Sequence, residues 1–301
     1  MNTVQREDRQ FGDLKGEIFW LTTAEQGLIA VTHLPASGDG PNTPVVMLPG
    51  MFSNRRFWLS DKGIGFAAAL SAAGFDCWMM ERRGLGESGK EGYLKAGLGQ
   101  CTKYDLPAVQ GLVQAHNEQP AFWVGHSFGG VLIAGSLARG ALNGEHVAGL
   151  VNFSSQLTVG KPFLNWPLST SIYASTKVLK HFPSKLLKMG PENEPPQTMR
   201  DCVRLVKSAK SHKKPNYWTG FDHITAPVLA FGSVGDTVDP AEGCRELMVR
   251  MNSSDAKFVL LGKAHGHRQD YDHVGMVISK DAQQEVWPMI IQWMTDRSGK
   301  K

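Results

Sequence analysis

Short apolar runs, rich in β-branched and aromatic residues, alternate along most of the chain with longer stretches of helical pattern. That alternation predicts βαβ units, hence a mostly parallel sheet with helices on both faces. Runs at 17–22 and 28–34 are expected to form a first strand pair. The next run, Pro44-Val45-Val46-Met47-Leu48, is apolar throughout, as a central strand buried on both faces must be. A glycine loop at 49–54, a helix at 64–73 and a strand at 75–80 follow. Then come a helix at 103–117, with Pro107 near its first turn where a missing N–H costs little, a strand at 121–124, a helix at 131–142 and a strand at 147–153.

There the regular alternation stops. Residues 155–220 hold the breaker-rich pieces PFLNWPL, HFPSK and GPENEPPQ around short helical stretches such as 198–211, the pattern of an inserted cap. Alternation returns with a strand at 227–231, a helix at 241–251, a strand at 257–261 and a last helix at 282–295. The expected organisation is a core of residues 1–154 and 221–301 with a cap or lid at 155–220. A chain of 301 residues can build one large core and still carry such an insertion.

Composition narrows the function classes. With 42% hydrophobic and 20% charged residues the chain is an ordinary globular protein rather than a disordered one. No apolar run approaches the roughly 18 residues of a membrane span, and the start, MNTVQREDRQ, lacks a secretion signal's apolar stretch. A soluble, cytoplasmic protein without integral membrane association is expected. Cys77, Cys101, Cys202 and Cys244 lie far apart, without metal-site spacing, and read as buried free thiols. The net charge of +4, with no supporting motif, gives no reason to expect nucleic acid as a partner. Between Lys161 and Lys214, however, eleven Lys or Arg stand against three acids. Such a basic surface can attract an anionic substrate or make transient contact with a lipid surface, although a solvated helical face is the ordinary explanation. Nothing in the sequence fixes the oligomeric state.

Gly125-His126-Ser127-Phe128-Gly129 joins the strand at 121–124 to the helix at 131–142 and fits the pattern G-x-S-x-G. Chemistry at this turn requires a serine on a bend so sharp that its neighbours lack side chains, which the flanking glycines provide. A glycine turn with an incidental serine is the alternative. The strand-turn-helix context makes it the weaker one.

The chain here resembles the α/β-hydrolase family, from the first strand pair to the last helix. Leu48-Pro49-Gly50-Met51-Phe52 is similar to the family's oxyanion loop, with Pro-Gly where His-Gly is more frequent, and Arg83-Gly84-Leu85-Gly86-Glu87-Ser88 to its RGxGxS loop. The resemblance implies an α/β fold with a mostly parallel, eight-stranded twisted sheet and an inserted helical cap. It also implies Ser127 as nucleophile, with the backbone N–H groups of Met51 and Phe128 forming the oxyanion hole.

A serine hydroxyl needs a histidine to take its proton and a carboxylate to orient that histidine, in the family's chain order Ser, acid, His. Phe231-Gly232-Ser233-Val234-Gly235-Asp236-Thr237-Val238-Asp239-Pro240 resembles the family's acid loop, with Asp236 at the acid position. Asp239 is the alternative acid, and either aspartate could instead cap the following helix; Asp239, just before a proline, suits the capping role better, so Asp236 is the choice. For the base, Lys263 to His273 offers His265, His267 and His273. His273 is the choice, because it precedes the final helix by a short loop and DHVGMVISKDAQQEVWPMIIQWM resembles the ending of a bacterial esterase-like branch. His265, nearest the preceding strand, is the alternative.

The resulting expectation is a serine hydrolase that cleaves small-molecule carboxylic esters through an acyl-enzyme, with no metal or organic cofactor required. Phe163, Leu164, Trp166 and Trp218 of the cap, with Phe52 and Phe57, could line an apolar pocket or simply form the cap's own core. Gly74-Phe75-Asp76-Cys77-Trp78 with Glu81-Arg82-Arg83-Gly84 resembles the acid-lipase branch, which points to acyl esters. Acyltransferase, thioesterase and non-catalytic ligand-binding readings stay open on the same fold.

Overall fold

The computed structural model describes residues 4–157, 164, 166–210 and 219–299. Among them nine strands form one sheet: β1 (Val4–Phe11), β2 (Leu14–Thr22), β3 (Leu28–Leu34), β4 (Pro44–Leu48), β5 (Asp76–Glu81), β6 (Ala121–His126), β7 (Val147–Phe153), β8 (Val228–Ser233) and β9 (Ala256–Leu261). Their order across the sheet is β1-β2-β3-β5-β4-β6-β7-β8-β9. The first three strands are antiparallel, β3 meets β5 antiparallel, and every pairing from β5 to β9 is parallel.

One strand more than expected is present, and it is β1. Its sequence, VQREDRQF, has no apolar alternation because it is the outermost strand, and charged side chains there deter pairing with another chain's edge.

Seven helices matter for the argument: α1 (Phe66–Ala72), α2 (Leu106–His116), α3 (Phe128–Ala138), α4 (Leu168–Val178), α5 (Pro196–Lys210), α6 (Ala241–Val249) and α7 (Lys280–Thr295). β4 shows why they divide between two faces. Val46 and Leu48 enter the apolar cluster beneath α2 and α3, while Val45 and Met47 enter the one beneath α1 and α7. A strand apolar on both faces thus anchors two layers at once. α4 and α5 belong to the segment between β7 and β8, and Met199, Cys202 and Val203 of α5 are buried in the same cluster as Val131 and Leu132 of α3. The four cysteines are buried free thiols.

The chain lays β5 on one side of β4 and then crosses to lay β6 on the other. Between β4 and β6 the direction of winding therefore reverses. The loops leaving their carboxyl ends diverge there, which is where open α/β sheets bind ligands. Gly50 follows β4 and Ser127 follows β6.

Candidate active site

Ser127 is the single residue between β6 and α3, with φ 52° and ψ −120°. A side chain rarely tolerates this conformation. It is held because the Ser127 N–H donates to the Phe153 carbonyl at 2.8 Å and because the neighbours leave no room to relax. A Cβ on Gly125 would stand 2.3 Å from the Gly130 Cα, and one on Gly129 2.2 Å from the Leu48 carbonyl oxygen. The two glycines of the pattern are therefore what lets α3 fold back onto β6 and β4.

The structure brings Asp236 and His273 together. His273 Nδ1 lies 2.9 Å from Asp236 Oδ2, while Asp236 Oδ1 accepts the N–H groups of Val238 (2.8 Å) and Asp239 (2.9 Å). Burial works against the Asp236 charge, but the hydrogen bond and charge of His273, with help from Ser154 and the Asp239 N–H, outweigh it and hold the carboxyl below its ordinary value. His126 Nε2 donates to the His273 backbone carbonyl at 2.8 Å, and the His126 ring stacks on Phe57. The unspecified residue of the G-x-S-x-G pattern thus helps to hold the loop bearing His273. The other two histidines stand elsewhere: His265 is exposed, and His267 Nδ1 lies 3.0 Å from Glu285 on α7.

Asp239 departs from expectation. The position capping α6 is Pro240, and Asp239 turns its carboxylate to the carboxyl ends of the strands instead. Ser127 Oγ donates to Asp239 Oδ2 at 3.0 Å, the same oxygen lies 3.8 Å from His273 Nε2, and Gln156 Nε2 donates to Oδ1 at 2.8 Å. Nucleophile and imidazole thus flank one oxygen of a buried carboxylate. The turn that Asp236 Oδ1 closes fixes this direction, because its two N–H bonds wrap 236–239 into a tight loop and leave no extended lead into the helix.

Phe128 opens α3, so its backbone N–H is one of the donors that a helix leaves without an internal acceptor. Met51 lies in the loop after β4, beside Ser127. The following residue, Phe52, has φ 62°, and its N–H donates to Glu194 Oε1 at 2.6 Å. Glu194 is fully buried and also takes Arg82 through both guanidinium ends, at 2.5 and 3.0 Å, while Arg82 Nη2 reaches the Gly50 carbonyl at 3.3 Å. Burial pulls the Arg82 value down, but the Glu194 charge and hydrogen bond more than offset it and hold the guanidinium above its ordinary value. The Glu192 N–H donates to the Phe52 carbonyl at 2.9 Å, and Asn54 Nδ2 donates to Glu192 Oε1 at 2.6 Å. A strap of residues 189–194 therefore grips the loop after β4 by backbone and side chain together.

Two cavities meet at Ser127. One, of about 40 Å³, is lined by the buried side chains of Phe128, Val131, Leu157, Leu164 and Leu205, with Ser127, Asp239 and Gln156 as its polar groups. The other, of about 590 Å³, is lined by Phe52, Phe57, His126, Met189 and His273. Of the aromatic residues considered for a pocket, Phe52 and Phe57 line the large cavity, Trp166 is 81% exposed, and Phe163 and Trp218 lie outside the described residues. The basic segment is partly neutralised where described: Lys185 lies 3.6 Å from Glu192, and Arg204 lies 3.5 Å from Asp201. Among the described residues no helix is long and apolar enough to cross a membrane.

A nine-stranded, mostly parallel sheet with a serine on a strained turn at its switch point defines an α/β hydrolase. The family model for serine aminopeptidase, S33, matches residues 45–267, and the chain belongs to that family. Ser127 and Asp236 fall inside the match; His273 lies beyond its end. A stretch of 112 residues is 29% identical to the tear acid lipase-like protein of Mesocricetus auratus. That match covers 34% of this chain and only 28% of the relative. Among solved structures, a soluble variant of monoglyceride lipase from Saccharomyces cerevisiae, in complex with a substrate analog, superposes with a TM-score of 0.67 at 14% identity, over 100% of this chain and 96% of that one. The monoacylglycerol lipase of Paleococcus ferrophilus gives 0.63 at 17% identity, over 90% and 99%. At these identities the structural likeness speaks for the fold.

Sequence reasoning missed Glu194, Gln156, the direction of Asp239 and the use of His126. Glu194 left one trace, as one of three acids in an otherwise basic stretch.

Proposed function

We propose that the protein is a serine hydrolase of carboxylic esters, with Ser127 as nucleophile, His273 as base and Asp236 as the acid that orients it. The observation that carries this reading is the strained Ser127 lining the same cavity as His273, whose imidazole is bonded to the buried Asp236, where two apolar cavities meet. In the first step Ser127 Oγ leaves Asp239 and gives its proton to His273 Nε2 while bonding to the acyl carbon. Charge developing on the carbonyl oxygen is met by the Met51 and Phe128 N–H groups. His273 then protonates the departing alcohol, and a water activated by the same imidazole releases the acid.

The unequal cavities support an assignment of the two halves of the substrate. The alcohol must leave while the acyl group is still bound to Ser127, so the larger cavity suits the alcohol and the smaller one, lined by buried side chains, the acyl chain. A space of about 40 Å³ accepts only a short acyl group without rearrangement. The lipase neighbours favour esters over peptides.

A fluorophosphonate probe is expected to label the protein and to fail on Ser127→Ala. A series of p-nitrophenyl esters is expected to show kcat/KM falling by about tenfold or more beyond short acyl chains. Absence of labelling, or turnover confined to thioesters or to acyl transfer onto an added alcohol, would reject ester hydrolysis.

A further inference from the structure

The smaller cavity beside Ser127 is apolar except at one corner, where Asp239 and Gln156 meet. Asp239 is 2% exposed, accepts the Ser127 hydroxyl at 3.0 Å and the Gln156 amide at 2.8 Å, and stands 3.8 Å from His273 Nε2. For attack, the serine hydroxyl must abandon this acceptor for the imidazole. The carboxylate oxygen then loses a donor inside a buried pocket, which is unfavourable, the more so for a charged group. A substrate that brings its own donor to that oxygen removes the cost.

We infer that Asp239 is a specificity-determining residue for acyl groups bearing a hydroxyl on the carbon next to the ester carbonyl. The inference rests on the ester-hydrolase reading above. In a substrate bound for attack, that hydroxyl sits one carbon from the atom Ser127 bonds to, within reach of an oxygen lying 3.0 Å from Oγ. The exchange is balanced: the substrate hydroxyl donates to Asp239 Oδ2, and the Ser127 hydroxyl turns to His273 Nε2. As the Oγ–carbon bond forms and the carbonyl π pair moves to oxygen, the serine proton passes to the imidazole. A neutral donor suits the place better than an ammonium. Asp239 already faces the imidazole at 3.8 Å, and an ammonium at the same oxygen would lie against the imidazolium that forms during attack. The cavity of about 40 Å³ favours a small acyl group.

The test compares kcat/KM for phenyl propionate, phenyl 2-hydroxypropionate and phenyl alaninate on wild type, Asp239→Asn and Asp239→Val. Fluorophosphonate labelling and thermal melting of each protein are run alongside. Wild type is expected to favour the hydroxy ester over the propionate by about tenfold. Asp239→Asn, which keeps an acceptor, retains part of that ratio, and Asp239→Val brings it close to one. A merely structural role for Asp239 would lower turnover of both esters together and leave the ratio where it was, which overturns the inference. So does a wild type without preference, or one that favours the alaninate. An enzyme that is labelled but shows no preference sinks this inference alone, whereas one that is neither labelled nor active on any ester removes the hydrolase reading with it.

Discussion

His273 and Asp236 form the clearest pairing at the residue scale. Their bond of 2.9 Å and the exposed position of His265 make the two histidines separable by experiment. His273→Ala is expected to lower kcat for an activated ester by about three orders of magnitude or more, and His265→Ala by less than about twofold, in the same assay. The lowered Asp236 carboxyl has a second consequence, for stability. A carboxylate whose folded value is depressed stabilises the protein above its unfolded value, 3.8, and loses that contribution as pH falls through the lower folded value. The melting-temperature gap between wild type and Asp236→Asn should therefore be level near neutrality and shrink below pH 3.8. A gap that widened in acid would contradict the direction of the shift. The sharp turn at Ser127 and the loop that carries Asp236 were legible in the sequence because each is a local pattern with a physical reason. Asp239 was misread because the direction of a side chain leaving a tight turn is decided by which N–H groups the turn consumes, and letters alone do not record that.

At the element scale, the loop after β4 and the strap at 189–194 behave as one unit. Arg82 and Glu194 are 112 positions apart in sequence, yet the carboxylate binds the guanidinium twice and the Phe52 N–H once. Glu194→Gln leaves Arg82 buried with a weakened partner, so a stability loss of about 3 kcal/mol is expected in chemical denaturation. Because Phe52 follows Met51 directly, the same variant is expected to lower kcat more than it raises KM. Unchanged kcat in a folded variant would reduce the strap to a structural support. Pairings at such separation leave no periodicity for sequence analysis to find, whereas β4, β6 and α3 announced themselves through continuous apolar runs and glycine spacing.

The whole sheet ends in two exposed edges, β1 and β9. On β1, Arg6, Glu7 and Asp8 are exposed, which makes the strand look like a solvated tail in sequence and like a guarded edge in the structure. Replacing Arg6 and Asp8 by valine should leave the catalytic constants unaltered and drive concentration-dependent self-association, seen by size-exclusion chromatography. A variant that stayed as dispersed as wild type would mean that some feature other than charge protects the edge. The broad architecture was readable because layered α/β folds repeat one pattern. The outermost strand was not, because its partners lie on one side only and its composition answers to water.

The strap's grip on Phe52 bears on how large a molecule can be turned over. On the proposed reading, the segment that fixes the backbone beside Met51 also lines the large cavity, so displacing it would disturb the proposed oxyanion loop. A guest too bulky for that cavity would then be turned away twice, once by lack of space and again because making room for it would loosen the groups proposed to act on it.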